Sequence, residues 1–366
     1  REFGLGLPER AIGIAAHDFA QALGAPEVAL TRATRSEGVP TVASRWLLRL
    51  DTVLQAVGLG DALGPDEVVR RAAELIDDAE QYRPLPPAEP RPPLAARPRK
   101  LSVTQIETWL RDPYAIYARH ILGLAPLHEL DADPGPAELG TIIHRTLEAF
   151  VRCFPGTLPS NAYSELLRIA RNQFGTLLSR PGAWAFWWPR FERIAHWLLA
   201  EERSHRPAVV ESLSECEGRW TFASRGGPFT ITTKADRIDR LIDGGFLLVD
   251  YKTGSVPSSS AVQAGLAPQL PLEGAILRAG GFAGVNGSAT ALEYWRLSGG
   301  RPAGERRPID NADPDGLIDL VSARVKALVE RFDDPNTPYL AVPSPRWAPR
   351  FSDYRHLERL AEETDE

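Results

Sequence analysis

Cysteine, methionine and long apolar runs are scarce or absent in this 366-residue sequence, and each shortage excludes a class of protein. The two cysteines, Cys153 and Cys216, are too few for a four-thiolate zinc site or an iron–sulfur cluster. We therefore expect two reduced, buried thiols in a cytoplasmic protein. No apolar run is long enough to span a bilayer, so we expect no membrane partner.

Two further absences concern nucleotides and charge. No G-x-x-x-x-G-K-[ST] loop is present, and we expect no ATP site in this chain. The net charge of -6 argues against a wholly basic nucleic-acid binder, but it leaves room for a local basic cleft. The first residues, Arg1 to Gly4, show neither a starting methionine nor a signal-peptide pattern, and we expect them to be a cut end.

Proline divides the chain into two parts. Seven prolines lie between residues 83 and 100, which precludes a regular helix there and predicts an extended linker. We predict a first domain at 1–83, a linker at 84–100 and a second domain at 101–366. Apolar spacing in the first domain predicts helices over 8–23, 44–57 and 65–76, and β-branched residues predict a short strand over 27–33.

The second domain alternates helical and strand patterns. Ser102 with Gln105 three residues later predicts a capped helix start. Helices are predicted over 102–111, 113–122, 137–153, 161–178, 184–205, 269–279 and 314–331, and strands over 207–222, 228–242, 246–253 and 289–297. This order predicts an α/β fold with a mixed sheet.

The segment from Thr230 to Gly254 carries the clearest chemical signal. It predicts two strands joined at Asp243-Gly244-Gly245, the second of them buried on both faces. Asp250 and Lys252 are two residues apart and therefore project from the same face. Alone, this pair is best explained as a salt bridge at a strand end.

The hairpin brings a second carboxylate close to Asp250. A two-residue turn places Asp239 on the same face as Asp250, whereas a three-residue turn places Asp236 there, and spacing does not decide between them. Two adjacent carboxylates repel unless a cation neutralises them, and oxygen ligands favour Mg²⁺ or Mn²⁺.

Several ordered motifs resemble the RecB-type branch of the PD-(D/E)XK nucleases, and in particular the C-terminal part of the AddB family. They are G-T-I-I-H-R-T-L-E-A-F at 140–150, A-D-R-I-D-R at 235–240, V-D-Y-K-T-G at 249–254 and A-P-Q-L-P-L-E at 267–273. The resemblance covers residues 101–366. It implies a restriction-endonuclease-like fold, a mixed central sheet flanked by helices, preceded by a small helical or α/β remnant of a helicase-like domain.

The resemblance also implies roles for individual residues. Asp236 and Asp250 correspond to the metal-binding aspartates, with the backbone carbonyl of Tyr251 as a further ligand. Lys252 corresponds to the lysine that orients the attacking water and offsets phosphate charge. By the same resemblance His144 completes the metal site, and Gln269 supports it or contacts DNA. Considered singly, a histidine on an apolar helix is more often a hydrogen-bonded core residue.

Two positions depart from the family pattern. Asp112 occupies the position where many AddB-like domains have the first cluster cysteine, and we expect no iron–sulfur cluster. Glu273 stands where RecB-type sites often have tyrosine. In the first domain, the segment Val28–Ala33 resembles the last motif of UvrD-like helicases, and we interpret Arg32 as a relic or an interdomain contact.

These observations favour an enzyme: a Mg²⁺- or Mn²⁺-dependent exodeoxyribonuclease that processes double-strand DNA ends for recombinational repair. The resemblance implies an AddA-type helicase–nuclease as partner and the 5′-terminated strand as substrate. The alternative is a catalytically silent, nuclease-like module that binds DNA or a partner. A stand-alone Cas4-like or restriction-type nuclease is disfavoured by the helicase-like first domain and the missing cysteines.

Overall fold

The computed structural model describes residues 8–36, 38–64, 67–77, 86–127, 134–180, 182–309, 313–349 and 351–359. The chain divides into two compact units, residues 1–85 and 86–366. The predicted boundary between 83 and 84 lies outside the described residues. No described helix is both long and apolar enough to cross a membrane.

The first unit contains three helices, which were predicted from apolar spacing. They are α1 (Pro8–Ala22), α2 (Arg45–Ala56) and α3 (Glu67–Asp77), and two short strands, β1 (Arg35–Ser36) and β2 (Val39–Pro40), pair between the first two helices. The Ser44 side chain caps α2 by accepting from the Leu47 amide at 3.2 Å. The strand predicted over 27–33 is wrong: this segment is irregular and pairs with no described strand, and unpaired strands are not stable.

None of the residues whose burial is described in the first unit is buried. Large apolar side chains instead face solvent; Val42 is 90% exposed and Ile76 is 82% exposed. Amphipathic helices are stabilised mainly by burying their apolar face. The described part of this unit therefore lacks a hydrophobic core of its own.

The second unit carries the remaining elements, and most of the predicted helices and strands are present; the helix predicted over 113–122 is α-helical only over Pro113–Ile116. The helices are α4 (Val103–Arg111), α5 (Pro113–Ile116), α6 (Pro136–Cys153), α7 (Ala162–Phe174), α8 (Trp188–His205), α9 (Ser259–Gln263), α10 (Gln269–Arg278), α11 (Pro314–Phe332) and α12 (Arg355–Glu358). The strands are β3 (Lys100–Ser102), β4 (Val209–Phe222), β5 (Phe229–Leu241), β6 (Phe246–Lys252), β7 (Ala289–Arg296) and β8 (Glu305–Pro308). The predicted capping box of Ser102 and Gln105 is present at the start of α4.

These strands form one mixed sheet whose centre is β5. Along one edge β5 pairs with β4, antiparallel; its other edge is shared by β3, parallel at 230–232, and β6, antiparallel at 237–240. β7 pairs parallel with β6, and β8 pairs antiparallel with β7. Residues 233–236 of β5 thus lie in a fork between the end of β3 and the end of β6.

Helices cover both faces of the sheet, as expected for an α/β fold. One core cluster joins α4, α10 and α11 to one face, and a second joins α6, α7 and α8 to the other. Successive residues of β6 alternate between them: Leu248 belongs to the first cluster, and Leu247 and Val249 belong to the second. The prediction that this strand is buried on both faces is confirmed.

The described part of the proline-rich segment packs against the second unit. Arg97 is 4% exposed, and its guanidinium donates to the carbonyls of Phe332 at 2.7 Å, Asp334 at 2.9 Å and Pro335 at 2.9 Å. These carbonyls lie at the end of α11, where backbone acceptors lack helical partners and a cation is favoured. Residues 86–99 are therefore bound to this unit along much of their length.

Candidate functional site

The turn between β5 and β6 decides which carboxylate faces Asp250. Leu241 donates its amide to the carbonyl of Gly245 at 2.9 Å, which closes a three-residue turn. Arg237 then pairs with Val249, and continuing this register places Asp236 opposite Asp250. Of the two registers that the sequence left open, the one with Asp236 beside Asp250 is observed.

His144 and Asp236 meet although they are far apart in sequence. His144 projects from α6, and its Nδ1 lies 3.2 Å from Oδ1 of Asp236. The other carboxylate oxygen of Asp236 accepts from the backbone amide of Tyr251 at 2.8 Å. Burial opposes charge on the His144 imidazole, but the hydrogen bond and negative charge of Asp236 outweigh it and raise the pKa of His144.

Asp250, Lys252 and Gln269 form a second group at the same fork. The Lys252 ammonium lies 3.0 Å from Oδ1 and 2.8 Å from Oδ2 of Asp250, and it donates to Oε1 of Gln269 at 2.9 Å. The Gln269 amide, at the first residue of α10, donates to Asp250. Burial, reinforced by the charge of Asp236, raises the pKa of Asp250 to about 6 although Lys252 opposes the rise.

Glu273 lies one turn further along α10 and is buried behind this group. Its Oε1 accepts from the hydroxyl of Thr233 at 2.9 Å and from the amide of Gln269 at 3.4 Å. Burial and the negative charges of Asp250 and Asp236 raise the pKa of Glu273 well above the usual range. Glu273 thus contacts Gln269 from behind, and Gln269 in turn contacts Asp250 and Lys252.

Sequence reasoning missed Glu215, which lies beside His144 and Asp236. One side-chain ligand atom of each of these three residues lies within 4.8 Å of the others. Glu215 belongs to β4 at the position opposite Asp236, between the pairs Ser214–Arg237 and Cys216–Ala235. It also forms an ion pair with Lys234.

The backbone at Glu215 is unusual for a strand. Its φ is 54°, in the left-handed region that non-glycine residues rarely adopt. On the neighbouring strand, Ala235 and Ile238 both belong to the first core cluster, although strict alternation would place residues three apart on opposite faces. The change of face occurs at Asp236, so the irregularity places Asp236 and Glu215 together. A prediction that assumes regular alternation along a strand therefore does not place Glu215 beside Asp236.

The donor set at the fork fits a divalent cation. It combines an imidazole nitrogen with carboxylate oxygens, which suits Mn²⁺ and Mg²⁺ better than thiophilic metals. Asp250 is 2% exposed, and its burial together with the charge of Asp236 raises its pKa, so a bound cation would stabilise the ionised carboxylate. The role of the Tyr251 carbonyl as a ligand stays a prediction.

A buried ion network supports the fork from the side of the second core cluster. Arg237, fully buried, donates to Asp239 at 2.8 Å and forms an ion pair with Glu202. The other oxygen of Asp239 lies 2.7 Å from Nε2 of His205. Asp239, the carboxylate of the register that is not observed, therefore belongs to this buried network.

Two further sequence expectations concern Asp112 and the cysteines. Asp112 is buried; it accepts from the Ala115 amide at 3.2 Å and from the Ser352 hydroxyl at 3.4 Å. Cys216 is half-buried, but Cys153 is exposed at the end of α6, so the expectation of two buried thiols is wrong for Cys153. Cys153 is the last residue of α6, three residues beyond buried Phe150, and the helix ends there.

Comparison with known proteins identifies the class. Residues 100–346 match the profile of the PD-(D/E)XK nuclease superfamily, and this chain belongs to that superfamily. Membership indicates nuclease activity. The mixed sheet with helices on both faces agrees with the restriction-endonuclease-like fold of the superfamily.

Relatives occur in Rickettsia. The chain is 24% identical over 264 residues to uncharacterized protein RC0550 of Rickettsia conorii, covering 71% of this chain and 30% of that protein. It is 31% identical over 190 residues to an uncharacterized protein of Rickettsia felis, covering 50% of this chain and 22% of that protein. The chain thus spans less than a third of the curated relatives it matches. Among solved structures, the crystal structure of SSO0001 aligns with 11% identity and a TM-score of 0.28, covering 74% of this chain and 86% of that one.

Proposed function

We propose that the second unit is a metal-dependent DNA nuclease whose site lies at the fork on β5, between the end of β3 and the end of β6. The observation that carries the proposal is the convergence of His144, Asp236 and Asp250 with Lys252 at one point of the sheet. His144 comes from α6, Asp236 from β5, and Asp250 and Lys252 from β6, so three elements place polar side chains at this point. Superfamily membership supports the same function.

The residue types fit phosphodiester hydrolysis. Asp236, Asp250 and His144 would hold a divalent ion, with Glu215 and the Tyr251 carbonyl as further ligands. When bound, such an ion polarises the phosphoryl oxygen and lowers the pKa of a bound water.

Lys252 places a positive charge where negative charge grows on the phosphate. Burial lowers the affinity of this amine for its proton, but Asp250 outweighs burial and raises the pKa of Lys252, so the ammonium stays charged at neutral pH. Gln269 holds both Lys252 and Asp250, and thereby fixes the position of that charge relative to the ligands.

More specific features belong to the same proposal. Mg²⁺ or Mn²⁺ is the expected ion, and the activity is that of an exodeoxyribonuclease at double-strand ends, acting on the 5′-terminated strand in recombinational repair. An AddA-type helicase–nuclease is the proposed partner and the cytoplasm the proposed location. The first unit is proposed to be a remnant of a UvrD-like helicase domain, and residues 84–100 its connection to the nuclease. The resemblance of the motifs at 140–150, 235–240, 249–254 and 267–273 supports these features.

The test is metal-dependent degradation of linear DNA, measured with Mg²⁺, with Mn²⁺ and with EDTA. Asp250→Asn should abolish degradation, and millimolar Mn²⁺ should raise the melting temperature of the parent by mass action, but not that of the variant. Asp319→Asn, at an exposed carboxylate paired with Arg278, is the matched control and should behave as the parent does. If the parent binds DNA but degrades none in the presence of its AddA-type partner, whose own nuclease site is disabled, the chain is a silent binding module instead.

A further inference from the structure

The outer face of β3, β5 and β4 continues away from the fork as an ordered polar surface. Across the strands, Ser102 pairs with Thr232 and Thr232 with Arg219; one step further, Lys100 pairs with Thr230 and Thr230 with Thr221. Nearer the fork, Lys234 pairs with Glu217. We refer to this face, residues 100 and 102, 217, 219 and 221, and 230, 232 and 234, as the platform.

The platform is in register with the candidate site. Asp236, Lys234, Thr232 and Thr230 are each two residues apart on β5, so they share a face, and each step is roughly 7 Å. Glu215, opposite Asp236, continues into Glu217 and Arg219 on β4 in the same way. The platform therefore extends roughly 20 Å from the metal-binding carboxylates.

A groove of about 980 Å³ lies over the platform. Its far wall is the Gly280–Gly281 turn at the end of α10, the helix whose first residue is Gln269. The turn lies directly against β4: the amide of Arg219 donates to the carbonyl of Gly281 at 3.1 Å, and a Cβ on Gly281 would lie 2.1 Å from the carbonyl of Arg219. A side chain at position 281 would collide with the backbone of β4, so this wall of the groove requires glycine.

The chemistry of the groove suits a sugar–phosphate backbone. Three cations line it, Lys100, Arg219 and Lys234, against one carboxylate, Glu217. Lys100 and Arg219 are exposed and have no ion-pair partner within the described part of the chain. The remaining polar side chains are hydroxyls, which also bond to phosphate oxygens, and no aromatic or large aliphatic side chain lines the groove.

We propose that the platform binds the phosphates of the DNA strand that enters the fork, with Lys100 and Arg219 as the principal contacts. The inference rests on the proposed nuclease function and adds the path of the substrate. The chain has a net charge of -6, but the groove that begins two residues from Asp236 is basic. This local positive charge favours an anionic polymer over a neutral ligand. Because the contacts are to phosphate, binding here should not depend on base sequence.

The test separates binding from cleavage. Fluorescence anisotropy of labelled linear duplex DNA, in EDTA, gives the affinity of the full chain at several salt concentrations. The variant Lys100→Ala/Arg219→Ala should bind more weakly, and the slope of log affinity against log salt should be less steep by about 2, close to one per lost phosphate contact. Glu217→Gln should bind more tightly than the parent, because it removes the carboxylate that repels phosphate.

The matched control is Arg240→Ala/Arg278→Ala, which removes two exposed arginines that lie outside the groove. It should keep the parental salt slope. If the parent binds and degrades DNA but the Lys100→Ala/Arg219→Ala variant keeps the parental salt slope, the platform does not bind phosphate and the proposed nuclease function is unaffected. A parent that neither binds nor degrades DNA overturns both.

Discussion

At the scale of single residues, Lys252 separates an enzyme from a binding module. It is not a proposed metal ligand, and it lies at the end of β6, so Lys252→Ala should leave the fold and metal binding largely intact. Loss of one preorganised electrostatic contact to the transition state should lower the rate on the order of 100- to 1000-fold. DNA affinity should change much less, since other phosphate contacts remain.

The measurement is the single-turnover rate of linear DNA degradation at saturating metal. Lys326→Ala is the control, because that lysine lies over Trp220 and Phe222, away from the fork. If Lys252→Ala and Asp250→Ala both degrade DNA at the parental rate, the nuclease assignment is wrong.

Glu215 is the residue whose role the sequence did not indicate. As a further ligand it should strengthen metal binding, so Glu215→Gln should reduce the increase in melting temperature that Mn²⁺ produces. Its ion pair with Lys234, which is 55% exposed, should contribute at most about 1 kcal/mol, so the metal-free stability should change little. Glu217→Gln, at the next outward-facing position of β4, is the control. An equal Mn²⁺ shift in parent and Glu215→Gln would exclude Glu215 from the metal site.

The residues that the ordered motifs singled out lie close together, and their roles stay predictions. His144, Asp236, Asp250, Lys252 and Gln269 are brought together as the resemblance implied, but the physical argument from spacing alone left Asp236 and Asp239 undecided. The turn length that decides between them depends on backbone geometry at Gly244, where φ is 86°. Glu215 depends on a left-handed backbone in the middle of a strand, and no side-chain pattern encodes that conformation.

At the scale of elements, the ion network on β5 and α8 should be costly to break. Glu202 is 1% exposed and pairs with both Arg237 and Arg206. Glu202→Ala leaves the fully buried Arg237 with less compensating charge, and removal of one partner of a buried pair costs about 3–5 kcal/mol. The adjacent Glu201→Ala removes a partly exposed carboxylate 3.8 Å from Arg306 and should cost less than about 1 kcal/mol. Urea unfolding of both variants measures the difference; similar losses would contradict a network of this kind.

The stability of the protein should depend on pH through Asp112, which accepts a hydrogen bond from Ser352 near the C-terminus. Burial, with the hydrogen bond and charge of Glu358, raises the pKa of Asp112 from 3.8 to about 7. Between these values the folded chain keeps a proton that the unfolded chain releases, so this group's contribution to stability falls as pH rises from about 4 to about 7. Asp112→Asn retains an acceptor for the Ala115 amide and should flatten the dependence of melting temperature on pH over that window. Parallel profiles for the two proteins would show that Asp112 is ionised throughout.

Element prediction worked where apolar periodicity was long and failed where it was short. The long helices and β4 to β7 have many periodic residues, and their bounds agree within a few residues. β3 and β8 have only three and four residues, too few to establish a period, and they depend on tertiary pairing with β5 and β7. The irregular segment 27–33 shows the converse: residues with strand preference form no strand without a partner.

At the scale of the whole molecule, the hydrophobic core and the candidate site both lie in the second unit. Every residue of the two large core clusters comes from position 101 or later. The first unit presents apolar helix faces to solvent among its described residues. The described core of the nuclease fold therefore lies at residue 101 and beyond.

Two truncations test where the nuclease domain begins. A fragment of residues 86–366 keeps the whole described core together with Arg97, and it should melt within a few degrees of the full chain and keep its nuclease activity.

A fragment of residues 101–366 starts at the boundary predicted from sequence. It lacks Arg97 and its hydrogen bonds to the carbonyls at the end of α11, and it also lacks Lys100 of β3. Loss of buried, charge-assisted hydrogen bonds should lower its stability on the order of 3 kcal/mol, or roughly 5–10 °C in melting temperature. The measurement is scanning calorimetry of both fragments beside the full chain. Equal melting temperatures for the two fragments would show that residues 86–100 act only as a linker and do not stabilise the domain.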